Sequence, residues 1–262
     1  MSVEIKNRIA WAADKLAPRL WLERELRYRP NHFEPEMRLV PVFCARDKVA
    51  IDIGANNGTY SYVMGKHAGT VVSFEPNRDL WPRLRRLLGR SARLEAAALS
   101  DANGRVTMRI DPENTGVSTI EAENAMSCSE HPEAVVSREV EVRTLDSYGF
   151  RGVSLIKIDV EGHEESVVAG AVETLNRERP ALIIESEDRH KAGAPRRLAE
   201  RLGGLGYGAY YLRGGELREF ATLTAEMTDA AVLERGGEYI NNFIFVHKDD
   251  AGALEKMRRN PS

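Results

Sequence analysis

The stretch Val49-Ala50-Ile51-Asp52-Ile53-Gly54-Ala55-Asn56-Asn57-Gly58 constrains the fold more than any other: a nearly continuous apolar run leads straight into a glycine-bearing turn. A run that is apolar throughout, rather than at every second residue, is buried on both faces. That property belongs to parallel sheets covered by helices. The remainder of the chain repeats the theme. Strand-like runs recur at 70–74, 93–99, 153–158 and 181–184, with helical periodicity at 59–66, 77–88, after 164 and at 194–205. Asn77 is placed to cap the helix carrying Leu80, Leu84, Leu87 and Leu88. Val168, Ala171, Val172 and Leu175 share one face of a later helix that stops before Pro180. Residues 105–110 add a hairpin strand, 139–143 another, and 209–212 with 239–246 close the sheet as an antiparallel pair. The expectation is an α/β, doubly wound, mostly parallel seven-stranded sheet of Rossmann-like type.

Three segments lie outside that alternation. Residues 1–45 read as a helical extension broken at Arg29-Pro30-Asn31, with a second short helix from Glu34 towards Val40. Residues 112–137, inside a domain spanning 46–248, hold no Lys or Arg and several Glu. A loop that long within a domain is a lid, an acceptor-binding insert or an acidic surface loop. Residues 249–262 form a charged tail expected to fray. A formal charge of −3 with no basic stripe argues against nucleic acid as partner. No apolar run approaches the ~18 residues of a membrane span. Cys44 and Cys128 are far apart, and the first residues lack a signal-peptide core, so a cytoplasmic location is expected. The N-terminal helices can pack on the domain or form a homo-oligomer.

A glycine turn after the first strand is where an α/β sheet meets nucleotide-like ligands. Gly54 and Gly58 allow a sharp turn, with Ala55 between them. Position 56 is Asn, so the central glycine that admits a pyrophosphate is missing, and Asp52 would repel a diphosphate. The same negative charge suits S-adenosylmethionine, which carries a sulfonium and an ammonium. The second strand ends Phe74-Glu75-Pro76, placing a carboxylate about 20 residues on, where a ribose diol lies. Ala98, near the third strand's end, offers an adenine slot. A tight turn and a solvated Glu are the bland readings of these features, and their combination is what points to a cofactor.

The segment Ile156-Lys157-Ile158-Asp159-Val160-Glu161-Gly162-His163-Glu164 is the most unusual. The first and fourth strands flank the switch point, so Asp52 and Asp159 end at one crevice. Lys157 lies in an apolar run and is expected to pair structurally with Asp159 or a neighbouring carboxylate. Asp159 and Glu161 repel unless a cation or proton sits between them: the sulfonium, an acceptor hydroxyl proton, or a Mg²⁺ held with Glu185. Asp159 is the first choice of general base, with His163 and His190 behind it. His163 otherwise faces solvent, His190 is otherwise a surface histidine, and Asn241 and Asn242 either bind substrate or mark a bulge.

With these residues in view, the chain resembles the FkbM family of methyltransferases over residues 34–246. The likeness rests on VAIDIGANNGTYS (49–61), SFEP (73–76), RTLD (143–146) and LIKIDVEGHEESVVAG (155–170). It implies O-methylation of a hydroxyl on a sugar, polyketide or other small metabolite. Carried over by position, Asp52, Gly54, Asn56, Gly58 and Glu75 would bind S-adenosylmethionine, and Asp159 and Glu161 would face the reacting centre. Residues 114–135 match little, and acceptor identity is expected there. The rival readings are a nicotinamide-dependent oxidoreductase and a cofactor-binding module without catalysis.

Overall fold

The computed structural model describes residues 16–89, 92–122, 124, 126 and 132–259. In chain order the elements are helices α1 (Pro18–Tyr28) and α2 (Val40–Phe43), strand β1 (Val49–Ile53), α3 (Thr59–Gly65), β2 (Thr70–Phe74) and α4 (Trp81–Leu88). Strands β3 (Arg93–Glu95), β4 (Ala97–Leu99), β5 (Gly104–Ile110), β6 (Val136–Arg143) and β7 (Val153–Ile158) follow. Next come α5 (Glu164–Ala169), α6 (Val172–Glu178), β8 (Ala181–Glu185) and α7 (Ala194–Gly204). The chain closes with β9 (Tyr207–Arg213), β10 (Glu216–Glu219), β11 (Asn242–His247) and α8 (Ala251–Arg259).

The main sheet has eight strands in the order β10-β9-β11-β8-β7-β1-β2-β3, one more than the seven expected. β11 is antiparallel to both β8 and β9, as the closing pair required, and β10 is an added hairpin partner on β9. The expected third strand is two. The chain leaves the sheet at Ala96, so β3 pairs with β2 while β4 joins β6 and β5 in a separate three-stranded sheet. All three residues of β4 are buried, which gives the departure its driving force. The helix after β7 also breaks, into α5 and α6. A Cβ at Gly170 would stand 1.9 Å from the Ser100 carbonyl oxygen, so the turn passes where only glycine fits.

Successive residues on each strand feed different layers. Ile51, Ile53, Ile156, Ile158, Leu182, Ile184 and Phe243 pack with Val167, Val168, Leu175 and Leu198 from α5–α7. Ala50, Val71, Leu155, Ile183 and Ile244 pack on the opposite face with Tyr60, Val63 and Met64 of α3 and with Phe43 of α2. Continuing that second face by one step of two gives Ser73, Asp52, Lys157, Glu185 and Asn242, in register: Asp52 lies beside Ser73 and Lys157, and Asn242 beside Glu185. The carboxyl edge of this face is therefore polar across five strands.

The N-terminal segment covers that edge. Leu22 and Leu26 of α1 pack on Tyr62 and Leu87, the chain turns at Pro30–His32, and a 3-10 turn Pro35–Leu39 runs into α2. The C-terminal tail does not fray over 251–259. Ala253 and Met257, one helical turn apart, bury on the α2 side of the core. No helix among the described residues is long and apolar enough to cross a membrane. Cys128 lies outside the described residues, and Cys44 carries a free thiol that burial pushes up to about 12.

Candidate active site

The turn after β1 is built by close approach. Gly54 has φ +80°, and a Cβ there would lie 1.8 Å from the Asp159 carbonyl oxygen, so β1 and β7 leave the sheet back to back. Asn56 also takes a left-handed φ of 45°, which Asn tolerates better than most residues. Its backbone N–H donates to Glu75 Oε2 at 2.8 Å, while Asn77 N–H donates to Oε1 at 2.7 Å. Glu75 is buried, and that burial pushes its carboxyl up to about 7 against these two bonds. Each oxygen keeps a further lone pair for a ligand hydroxyl.

A cavity of about 340 Å³ opens from this carboxylate. Glu75, Pro76, Leu80, Ala98 and Met108 line one end, and Asp159, Glu161 and Glu185 line the other, with Gly54 and Asn56 between. Residues 114–120, from the long insert, form a further wall. They are tied down at both sides. Thr115 Oγ1 donates to Asn56 Oδ1 at 2.8 Å, and Thr119 Oγ1 donates to the Glu161 carbonyl at 2.9 Å. A second cavity, about 310 Å³, lies across Gly54 and Asp159 and is lined by Asp52, Ala55, Tyr60, Lys157 and Glu34.

Asp52 accepts from Ser61 Oγ at 2.5 Å, and burial raises its carboxyl to about 6. Gly58 lines neither cavity. It starts α3 at φ +83° and packs under Leu84 and Leu87, so its service is to the fold.

Lys157 is fully buried and has partners on every side. Its Nζ donates to Asn242 Oδ1 at 3.0 Å and lies 3.6 Å from Glu34 and 3.8 Å from Asp159. It also sits 5.0 Å from the centre of the Tyr60 ring, whose hydroxyl donates to Glu34 at 2.8 Å. Burial pushes the ammonium's pKa down, but these carboxylates outweigh it and hold the charge. The structural pairing expected of Lys157 is present, and Glu34, far from it in the chain, joins it as a partner.

Asp159 and Glu185 share a hydrogen bond, and burial raises both carboxyls. At Asp159 the Lys157 ammonium opposes that rise. Asn241 Nδ2 also donates to Glu185, at 2.8 Å. Glu161 has a left-handed φ of 53°, and burial, with Asp159 and Glu187 nearby, pushes its carboxyl up to about 9. It is neutral at neutral pH. Glu187 goes the other way. Burial would raise it, but bonds from His190, Arg189 and Tyr239 hold it far below the usual range.

Neither histidine lines the main cavity. His163 is tied between Ser100 Oγ at 2.8 Å and Glu121 Oε2 at 3.1 Å. His190 stands behind Glu161. Asn124 Oδ1 accepts from Met126 N–H, so its Nδ2 is the donor, to His190 Nδ1 at 2.8 Å and to the Glu161 carbonyl at 2.8 Å. The His190 hydrogen is then on Nε2, 3.1 Å from Glu161 Oε2 but off the line of a hydrogen bond. The expected metal set of Asp159, Glu161 and Glu185 is not gathered. Among the described residues, Asp159 and Glu185 converge with Glu34 instead, around the Lys157 ammonium, while Glu161 turns to His190.

Glu34, Asn124, Glu187 and Tyr239 reach the site from segments with no local motif, and Tyr60, although inside the 49–61 run, gains its role only through Glu34 and Lys157.

Comparison with known proteins adds identity to this geometry. Residues 52–229 match the methyltransferase FkbM domain model. The 2-O-methyltransferase NoeI of Sinorhizobium fredii (strain NBRC 101917 / NGR234) is 30% identical over 151 residues, 51% of this chain and 61% of NoeI. The match thus spans less than two thirds of that relative. Methyltransferase FkbM from Methylobacillus flagellatus KT aligns with TM-score 0.49 and 15% identity, covering 92% of this chain and 59% of that one. A Streptococcus mutans protein solved in complex with SAH aligns with TM-score 0.46 and 10% identity, covering 82% and 98%.

Proposed function

This chain belongs to the FkbM family of S-adenosylmethionine-dependent methyltransferases, and from that premise we propose that it methylates a hydroxyl oxygen of a sugar, polyketide or other small metabolite. The observation that carries the reading is one cavity with Glu75 at one end and Asp159 at the other, joined by the Gly54 turn. The name of NoeI, a 2-O-methyltransferase, supports oxygen as the accepting atom.

The residues present fit S-adenosylmethionine. Glu75 has lone pairs for a ribose diol, Leu80, Ala98 and Met108 offer an apolar slot for a base, and Asp52, Glu34 and Asp159 surround the neighbouring cavity with negative charge. A diphosphate would meet the same carboxylates, which disfavours a nicotinamide cofactor. When bound, the cofactor supplies an electrophilic methyl group on cationic sulfur. The chain's own part is to align, to exclude water and to move one proton. Asp159 accepts the acceptor hydroxyl's proton. Glu185 steadies Asp159 by donating to it, and Lys157 keeps it ionised. Glu161, neutral, is a hydrogen-bond donor to the incoming oxygen rather than a second base. His163 and His190 position backbone and carboxylate and stay out of the proton's path. Two carboxyls driven to different protonation states are the usual mark of divided acid and base roles.

Calorimetric titration with S-adenosylmethionine, S-adenosylhomocysteine and NADH tests the cofactor. Binding of the first two and silence from NADH is expected, and tight NADH binding overturns the assignment. Methyl incorporation from labelled S-adenosylmethionine into a panel of hydroxylated metabolites separates an enzyme from a module that only binds.

A further inference from the structure

A third cavity, about 540 Å³, lies beyond β11 and is absorbed by none of the roles above. Its floor is Leu212, and its sides are the 34–36 segment and residues 236–242. All of its lining except Leu212 falls outside residues 52–229. Three of its residues connect it directly to the reactive end of the site. Glu34 is common to its wall and to the cavity holding Lys157 and Asp159. Asn241 donates to Glu185, which lines the main cavity, and Asn242 accepts from Lys157.

The insert reaches the same end from another side: Thr119 and Asn124 both donate to the Glu161 carbonyl, and Asn124 also bonds His190. Residues 114–120 line the main cavity, whereas no described residue of the insert lines the third cavity.

The charge of the third cavity is one-sided. Glu34, Glu36 and Glu238 line it, and among the described residues no Lys or Arg does. Burial raises Glu36 to about 7 and Glu34 is paired with Lys157, so exposed Glu238 carries the uncompensated charge; its carboxylate accepts from a ligand's donors and repels an anion. Leu233, 58% exposed, gives the rim an apolar contact. We infer that this cavity is the docking subsite of the methyl acceptor, and that it takes a hydroxyl- or amine-bearing molecule free of anionic groups. The inference rests on the methyl-transfer reading and adds residues 34–36 and 233–242 to acceptor selection.

Methyl glucosaminide, methyl glucoside and methyl glucuronide share a ring frame and are cationic, neutral and anionic, so they make a suitable probe set. Saturation-transfer NMR with protein loaded with S-adenosylhomocysteine should show the first two bound and the glucuronide roughly tenfold weaker. Glu238→Lys should narrow or invert that order while S-adenosylhomocysteine affinity, read by calorimetry, stays unchanged. Leu233→Trp, at an exposed rim position, should weaken all three alike. Equal binding of the three glycosides, no binding of any, or indifference to both substitutions overturns the subsite. Loss of S-adenosylhomocysteine binding in the unaltered protein is a separate result that sinks the methyl-transfer reading itself.

Discussion

The two ends of the main cavity handle negative charge in opposite ways. At the end of β2, each oxygen of Glu75 already sits on a backbone N–H, from Asn56 and from Asn77. At the ends of β7 and β8, Asp159, Glu161, Glu185 and Glu187 crowd together and are stabilised by protons, by Lys157 and by the His190–Arg189–Tyr239 group. The first end is organised by backbone geometry before any ligand arrives. The second is organised by titratable side chains, and its protonation shifts with whatever cation enters. The difference teaches that backbone-held and proton-held negative charge are separated across Gly54, and the proposed division into recognition and reactivity rests on it.

The strongest way to break this comparison is Asp159→Asn. On the proposed role, turnover should fall by about 10²–10⁴-fold, with S-adenosylmethionine affinity changed only a few-fold, as read by kcat against calorimetric Kd. Retained turnover would move the base elsewhere. Glu75→Gln tests the other end. It sets an amide where two backbone donors need acceptors, so cofactor affinity should drop by about tenfold to a hundredfold, while kcat at saturation moves little. A kcat loss without an affinity loss would show that the two ends are not separable.

A smaller effect is expected from pH. Glu161 has a folded pKa near 9, above the 4.5 of an unperturbed glutamate, so the folded protein holds the extra proton between those values. Its stabilising contribution is complete below the lower value and is lost as pH rises through the upper one. The melting temperature should fall between pH 6 and pH 9. Glu161→Gln should remove roughly 2–4 °C of that fall for each kcal/mol of linkage, leaving the part due to the other carboxyls that burial raises: Glu36, Glu75, Glu164, Asp52 and Glu185. An unchanged slope would mean that Glu161 is ionised in the native protein. The smallest effect is assigned to metal removal: Lys157 supplies the positive charge among Glu34, Asp159 and Glu185, so exhaustive chelation should leave turnover intact. Loss of activity restored by Mg²⁺ would assign that charge to a metal instead.

The strand alternation, the Gly54 turn, Glu75 and the Lys157–Asp159 run were all legible from residues 49–185 alone. They are local: burial on both faces writes an apolar run, and a left-handed turn writes a glycine. The break at Ala96, the kink at Gly170 and the helix at 251–259 were not legible, because each depends on a neighbour distant in sequence: β6, the Ser100 carbonyl and α2. The same reason hid Glu34. Nothing around it in sequence signals a site, and only the return of the N-terminal segment over the polar edge of the sheet brings it to Lys157. By itself the sequence determined the fold class, the strand ends that carry Asp52, Glu75 and Asp159, and the presence of paired carboxylates. Tertiary structure alone decided which carboxylate holds a proton and which histidines stand back from the cavity. Protonation follows burial and through-space charge, and a linear pattern of residues records neither.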